Sequence, residues 1–219
     1  IAENYKNVST QISKAAKDTR RNTADVELVV VTKNHRENTF LNLLDAGHRV
    51  FGENRVLEAM EKWLPLKQRF TDIRLHLIGP LQSNKVNRAI KIFDVIETVD
   101  RAKIAQKIVE ELERQDRLVE CYIQLNTGEE VNKGGVFPAA ADDFISKCIN
   151  EIKLPVTGLM CIPPKSENPK QHFEYLSRLA FKYKLKNLSM GMSEDFVLAI
   201  NAGATAVRIG TAILGNRNI

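Results

Sequence analysis

The sequence predicts an α/β protein, a single (β/α)8 TIM barrel with an extra helix at its N-terminus. Eight short apolar segments rich in β-branched residues recur along the chain, and helical patterns fill the intervals between them. Their spacing matches the size of a strand-helix unit. The length of 219 residues fits as well, because single-domain barrels of about 200 to 250 residues are common.

An amphipathic helix is predicted to open the chain. Tyr5, Val8, Ile12 and Ala15 fall on one face at the helical period of about 3.6 residues. This helix comes before the first strand and is additional to the eight repeated units.

The predicted strands have near-continuous apolar character instead of an alternation of polar and apolar residues. Such segments are typical of parallel strands whose two faces are both covered. The second and seventh have the weakest patterns. The segments are ELVVVT (27–32), RVFG (49–52), RLHLIG (74–79), DVIETV (94–99), LVECYIQLN (118–126), LPVTGLMCI (154–162), KNLSM (186–190) and ATAVRIG (204–210).

Helices are predicted between the strands from helical spacing and from capping residues. Ser83, Asp100 and Asn168 are expected N-caps, and Pro169 is expected as a first helical residue. The apolar positions that follow these three caps are Val86, Ala89, Ile90 and Phe93, then Ile104, Ile108 and Leu112, then Phe173, Leu176, Ala180 and Tyr183.

Two glycines are expected to end helices just before strands. Gly47 and Gly203 each follow a helical pattern and can adopt the left-handed conformation that turns the chain. An open, doubly wound sheet would give a similar alternation with fewer strands. The barrel is favoured because eight segments are present and no GxGxxG motif follows the first. No linker divides the series, so we expect one domain over 1–219.

Composition limits the classes of function. The net charge is +5, but acidic and basic residues are interleaved, and aromatic residues make up only 6% of the chain. A phosphate-bearing small molecule is therefore favoured over nucleic acid. Cys121, Cys148 and Cys161 show no paired spacing, so we expect reduced thiols that fill the core, and no metal site. With neither a signal peptide nor a membrane span in the pattern, we expect a cytoplasmic protein.

Candidate functional residues lie where the predicted strands end. In a (β/α)8 barrel the loops after the strands converge on one mouth, which is where active sites form. The candidates in chain order are Lys33, Asn54, His76, Gly79, Asn126, Ser189, Met190, Ser193, Arg208, Gly210 and Thr211.

Lys33 directly follows the apolar first strand. A partly desolvated amine has a lowered pKa and can act as a carbonyl nucleophile that forms a Schiff base. A lysine that extends its stem along the strand end and its ammonium into water would fit the position equally well.

A phosphate site is predicted after the last two strands. The segment SMGMSEDF leads from the seventh strand into a helix that Ser193 is expected to cap, and its Gly191 allows a tight turn. Gly210 and Thr211 offer a similar turn after the eighth strand. Arg208 faces either the mouth or a carboxylate inside the barrel.

Taken together, the motifs resemble those of the pyridoxal phosphate homeostasis proteins of the YggS/PROSC type, relatives of the alanine racemase barrel. The resemblance covers nearly the whole chain. It is carried by VVVTK, FGEN, HLIGPLQSNK, QLNTGEE, GLMCIPP, SMGMSEDF and VRIGTAILG, in this order. The chain departs from the family pattern beside the site, at Asn34 and His35 and at Arg55.

The resemblance implies a fold-type III barrel in which Lys33 forms the internal aldimine with pyridoxal phosphate. It also assigns phosphate contacts to the SMGMS loop, with Gly210 and Thr211, and places Arg208 near the pyridine nitrogen. Asn54 and His76 belong to the same motif series. An arginine there makes the ring a weaker electron sink, so vigorous transamination is not expected.

Three functions follow from these expectations. The first is a protein that carries or buffers pyridoxal phosphate for apo-enzymes and so affects amino-acid and keto-acid balance. The second is an amino-acid racemase of low activity, for which the sequence offers no evident second base because the chain ends soon after the last strand. The third is a Schiff-base aldolase with a phosphorylated substrate. We favour the first, without robust catalysis, and expect a monomer.

Overall fold

The structure is a computed structural model that describes residues 1–215. Eight strands form one closed barrel in chain order, and each neighbouring pair is parallel, including the first and last strands. The closure confirms the (β/α)8 barrel and excludes the open, doubly wound sheet.

The strands follow the predicted segments closely. All eight were predicted, including the second and seventh, and their ends differ from the predicted ones by at most two residues. The observed strands are β1 (Glu27–Val31), β2 (Val50–Glu53), β3 (Arg74–Leu77), β4 (Val95–Val99), β5 (Glu120–Leu125), β6 (Val156–Cys161), β7 (Asn187–Ser189) and β8 (Ala206–Ile209).

Helices surround the barrel. The expected N-terminal helix is present, and it packs against the last two helices of the chain. The α-helices are α1 (Ala2–Asp18), α2 (Glu37–Asp45), α3 (Val56–Arg69), α4 (Val86–Ile92), α5 (Ala102–Gln115), α6 (Pro138–Asn150), α7 (Pro169–Lys182), α8 (Phe196–Asn201) and α9 (Thr211–Leu214). Within residues 1–215, no helix is long and apolar enough to cross a membrane.

One expected cap is confirmed and two are wrong. The Asn168 side chain accepts a hydrogen bond from the Lys170 N–H at the start of α7. Ser83 instead begins a short 3-10 turn, which places the start of α4 three residues later. Asp100 lies one residue too early to cap α5, and its carboxylate accepts from the Arg101 guanidinium and the Gly135 N–H.

Both expected helix-ending glycines have the predicted backbone. Gly47 has φ +91 and Gly203 has φ +103, and each turns the chain from a helix toward the next strand. Outward-facing strand residues and the inner faces of the helices form the main hydrophobic core. Cys121, Cys148 and Cys161 are buried and free, as expected for core residues.

Candidate functional site

The barrel brings the ends of β7, β8 and β1 together as neighbours. Val29 of β1 is in register with Arg208 of β8, and the Arg208 N–H donates to the carbonyl of Gly191 after β7. The lysine that follows β1 therefore lies beside the two loops that follow β7 and β8. β1 lies near the start of the chain, whereas β7 and β8 lie near its end, and closure of the barrel makes them neighbours.

Lys33 is half-buried just beyond the end of β1. The Thr32 N–H donates to the Gly52 carbonyl at 3.0 Å, so pairing with β2 continues to the residue before the lysine. By strand alternation Lys33 belongs to the interior side, as do Val29 and Val31. Asn34 then has φ +62, a conformation that asparagine tolerates better than most residues.

The loop after β7 depends on Gly191. Its φ is +92, and a Cβ added there would lie 2.5 Å from the Ala199 Cβ and 2.9 Å from the Phe196 Cα. Only a glycine fits this turn without displacing α8. The expectation that Ser193 caps α8 is wrong, because the helix begins at Phe196 with Asp195 as its N-cap residue.

Ser193 instead links the two loops of the expected phosphate site. Its hydroxyl oxygen accepts a hydrogen bond from the Ala212 N–H at 3.3 Å, in the first turn of α9. Gly210 is the N-cap residue of that helix, and Thr211 is its first residue. Thr211 is exposed and Gly210 is half-buried, so both are accessible from solvent.

Ser189 and Met190 lie deeper than the loop that they precede. The Ser189 hydroxyl donates to Glu97 Oε2 at 2.6 Å and accepts from Arg208 Nη1 at 2.6 Å. The Met190 side chain is fully buried in the main core. The hydroxyl of Ser189 is thus committed inside the barrel.

Arg208 is held at the level where the strands end. Its Nη2 donates to the carbonyl of Cys161, the last residue of β6, at 2.9 Å. Its Nη1 lies 3.8 Å from Glu97 Oε2. The two alternatives for Arg208 therefore coexist, since the guanidinium has a carboxylate partner and also lies near the mouth.

His76 occupies the centre of the barrel between two carboxylates. Its Nδ1 lies 2.7 Å from Glu97 Oε1, and its Nε2 lies 3.3 Å from Glu27 Oε1. Burial by itself would lower the pKa of His76, but the two carboxylates favour the charged ring and raise the pKa to about 9. The ring is therefore protonated at neutral pH.

Sequence reasoning missed the carboxylates of this interior network. Glu97 is fully buried, and toward the opposite end of the barrel Arg74 pairs with Glu27 and with Glu120. The signal was present, because Glu97 interrupts an otherwise apolar strand segment, and an unpaired buried carboxylate would be costly. Only the closed barrel shows which groups are its partners.

Asn54 has an unsatisfied polar atom near the mouth. Its Oδ1 is buried and has no hydrogen-bond partner among residues 1–215. Gly79 lies against the same residue, where an added Cβ would come within 2.3 Å of the Asn54 carbonyl oxygen. This arrangement leaves an acceptor for a ligand donor, in a place where the backbones pack closely.

Asn126 orders its own loop. Its Nδ2 donates to the carbonyls of Glu130 and Lys133, and its Oδ1 accepts from the Glu130 N–H. Lys133 pairs with Glu130 at the surface. These contacts give Asn126 a structural role in the loop between β5 and α6.

The structure also bears on thiol chemistry and on metal binding. Burial raises the pKa of the Cys161 thiol to about 12, so this thiol stays protonated at neutral pH. In the part of the chain that the structure describes, no group of three or more His, Cys, Asp or Glu side chains could hold a metal ion.

Comparison with known proteins places these features in a family. The family model described as the alanine racemase N-terminal domain matches residues 5–218. The pyridoxal phosphate homeostasis protein of Escherichia coli strain K12 is 36% identical over 228 residues, which span 100% of this chain and 97% of that protein.

Solved structures of other proteins have the same fold as this chain. The structure of PipY from Synechococcus elongatus PCC7942 with PLP bound has a TM-score of 0.79 and 30% identity, over 93% of this chain and 100% of that chain. Alanine racemase of Clostridium difficile 630 has a TM-score of 0.70 at 14% identity and shares the fold, covering 96% of this chain and 57% of its own.

Proposed function

The chain belongs to the family of pyridoxal phosphate homeostasis proteins, built on the alanine racemase N-terminal domain, and we propose that it binds pyridoxal phosphate covalently through Lys33 and holds the cofactor in reserve. The observation that carries this proposal is the convergence of the ends of β1, β7 and β8. An amine and two turns suited to a phosphate meet there.

The residues present suit the three polar parts of the cofactor. The Lys33 amine matches the aldehyde, and the turns at Gly191 and Gly210, joined through Ser193, match the phosphate. The buried Asn54 Oδ1 is an acceptor without a partner, which suits the ring hydroxyl. We assign Thr211 to the phosphate as well, through its exposed hydroxyl.

We assign Arg208 to the pyridine nitrogen. Bound pyridoxal phosphate supplies an electrophilic carbonyl and an electron-withdrawing ring. An arginine remains protonated in proteins, so it does not hand a proton to the ring nitrogen and does not strengthen that withdrawal. Ser189, Glu97 and His76 hold the guanidinium in place, and this supports storage of the cofactor over turnover of amino acids.

We further propose that the protein works in the cytoplasm. Three free, buried cysteines are typical of a reducing compartment, which supports the cytoplasm. We propose that apo-enzymes that need pyridoxal phosphate are the recipients and that the protein acts as a monomer. Transfer of the cofactor to a purified apo-enzyme, measured as recovered activity, tests the first point. Sedimentation analysis tests the second.

The covalent attachment is tested with Lys33→Ala. We expect the parent protein mixed with pyridoxal phosphate to show the visible absorbance of a Schiff base and, after borohydride, a stable cofactor adduct at Lys33 in peptide mass spectra. The variant should show neither, because it lacks the amine.

Lys85→Ala is the matched control, since Lys85 is half-buried in the turn before α4 and is not assigned to the site. Its spectrum and its adduct at Lys33 should equal those of the parent. An adduct on Lys85 in place of Lys33, or no adduct on either lysine, would contradict the assignment.

A further inference from the structure

The peptide groups on both sides of Lys33 are tied to α3. On the N-terminal side, the Thr32 hydroxyl donates to Glu53 Oε1 at 2.7 Å, and the Thr32 carbonyl accepts from Lys62 Nζ at 2.9 Å. On the C-terminal side, the Asn34 N–H donates to Glu58 Oε1 at 2.9 Å. The lysine of the site is therefore the middle residue of a segment fixed at both ends.

Lys62 joins the two sides. Its Nζ contacts Glu53 Oε1 at 2.8 Å and Glu58 Oε1 at 3.4 Å, in addition to the Thr32 carbonyl. The Lys62 side chain is 8% exposed and that of Glu53 is 0% exposed. A buried ion pair of this kind costs desolvation energy and does not by itself indicate a gain in stability, so a role in geometry deserves a test.

The helix that carries Lys62 is firmly placed. The neighbouring Trp63 is fully buried, donates from Nε1 to Glu53 Oε1 at 3.0 Å, and stacks on Phe40 with ring centroids 5.1 Å apart. Phe51 of β2 packs against the same indole at 4.7 Å. An aromatic cluster thus fixes the base from which Lys62 reaches the strand end.

We propose that Lys62 is a positioning residue for Lys33, and that together with Glu53 and Glu58 it holds the segment from Thr32 to Asn34 so that the Lys33 amine is presented to an aldehyde at the barrel mouth. The proposal rests on the proposed function, since the aldehyde is that of pyridoxal phosphate. We name the side chains of Lys62 and Glu58 on α3, together with that of Glu53 at the end of β2, the clamp.

The clamp would act on one bond-forming step. The neutral Nζ of Lys33 adds to the aldehyde carbon, and the carbonyl oxygen leaves as water with the two amine hydrogens as the C=N bond forms. Misplacing a nucleophile by about 1 Å can cost about 100-fold in rate. Holding both flanking peptide groups limits the displacement of the amine without any contact between the clamp and the cofactor.

Two measurements test the clamp, one of them without cofactor. Hydrogen exchange of the Asn34 amide in the unliganded protein reports the ordering of the segment. The rate at which pyridoxal phosphate and cyanoborohydride form the adduct at Lys33 reports how well the amine is positioned for the aldehyde. In Lys62→Met we expect faster exchange at Asn34 and adduct formation slower by about 10- to 100-fold.

A pair of variants at Glu58 covers the case in which Lys62→Met does not fold. Glu58 is partly exposed and can be changed with less risk to the core. Glu58→Ala removes the acceptor of the Asn34 N–H and should speed exchange and slow adduct formation. Glu58→Gln keeps an oxygen acceptor, so it should restore both values toward those of the parent.

Lys67→Met is the matched control. Lys67 also lies on α3 and is partly buried, but it bonds to the Ile92 carbonyl and Asp94, away from Lys33. It should leave both measurements unchanged. Folded Lys62→Met or Glu58→Ala with parental exchange and parental adduct rates would overturn the proposal.

The two proposals fail in different ways. A parent protein that forms no adduct at Lys33 would contradict the proposed function, whereas exchange at Asn34 would still show whether Lys62 orders the segment. A parent that forms the adduct, with clamp variants that match it in both measurements, would contradict only the clamp.

Discussion

At the residue scale, the barrel interior contains a chain of charged groups. His76 connects Glu27 on one side with Glu97 on the other, and Glu97 leads through Ser189 to Arg208. Each charge has a partner, which is the condition under which burial is tolerated. The network therefore fixes the guanidinium at the site and also makes stability depend on pH.

The pH dependence follows from the proton on His76. Its pKa is raised from 6.5 to about 9, so the folded protein binds this proton more tightly than the unfolded chain does. The stabilisation is fully present below pH 6.5 and is lost as pH rises through about 9. We expect the free energy of unfolding to fall by on the order of 3 kcal/mol over this range, measured by urea unfolding at constant ionic strength.

His76→Gln removes the titrating group and should flatten this pH dependence. An NMR titration of the His76 ring in the parent gives an independent measurement. A ring that titrates near pH 6.5, or equal pH slopes in parent and variant, would refute the prediction.

The same residues show what the sequence alone could predict. The position of Lys33, Asn54 and Gly210 at the barrel mouth could be predicted because each follows a strand end, and a barrel gathers strand ends at one mouth. The roles of Glu97 and Lys62 could not be predicted. The partners of Glu97 lie on other strands, and Lys62 contacts the end of β1, from which α2 and β2 separate it in the chain. Ser193 was predicted in the loop after β7, yet its partner is the Ala212 N–H in the first turn of α9.

At the element scale, the two loops after β7 and β8 are shaped by backbone requirements. Gly191 is held between the strand end and α8, and an added methyl group would overlap with Ala199 and Phe196. Gly47 has nearly the same φ, but nothing lies within 4 Å of an added Cβ. Substitutions at these two glycines therefore distinguish the free-energy cost of a left-handed backbone conformation from the cost of overpacking.

Gly191→Ala should therefore cost more than Gly47→Ala. We expect about 1 kcal/mol for Gly47→Ala from the left-handed conformation, and a further 1 to 3 kcal/mol for Gly191→Ala from overpacking. Gly191→Ala should also weaken binding of pyridoxal phosphate, while Gly47→Ala should leave it intact. Denaturant unfolding and cofactor titration check both statements. Equal effects of the two substitutions would mean that the loop adapts to the methyl group.

The ends of elements were harder to predict than the elements themselves. Ser83 and Asp100 are good N-cap residues by type, yet the helices begin at Val86 and Ala102. A 3-10 turn takes the place of the first cap, and Asp100 bonds to the distant Gly135 N–H instead. Local preference was outweighed by contacts that only the folded chain provides.

At the scale of the whole molecule, the site depends on the junction between β1 and β8. A ligand that binds only the closed barrel stabilises it by mass action. We expect pyridoxal phosphate at about 100 times its Kd to add about 2.7 kcal/mol, and to raise Tm by about 5 to 10 °C for a chain of this size.

Lys33→Ala provides the comparison, because it removes the amine of the proposed covalent bond and leaves the turns at Gly191 and Gly210 unchanged. Its shift in Tm should be smaller at every cofactor concentration, as measured by thermal unfolding followed by circular dichroism. A parent protein whose Tm does not respond to the cofactor would show that the cofactor does not bind the native barrel in preference to the unfolded chain.

Closure of the barrel also sets when the site comes into existence. Glu27 to Val30 of β1 pair with Ala206 to Ile209 of β8, which a ribosome synthesises some 180 residues later. Lys33 therefore leaves the ribosome long before the turns at Gly191 and Gly210 are made, and pairing between strands this distant in sequence is slow. A nascent chain has the reactive amine without the pocket. The proposed capture of a phosphorylated aldehyde at Lys33 is thus expected only of the finished molecule, after translation has passed the last strand.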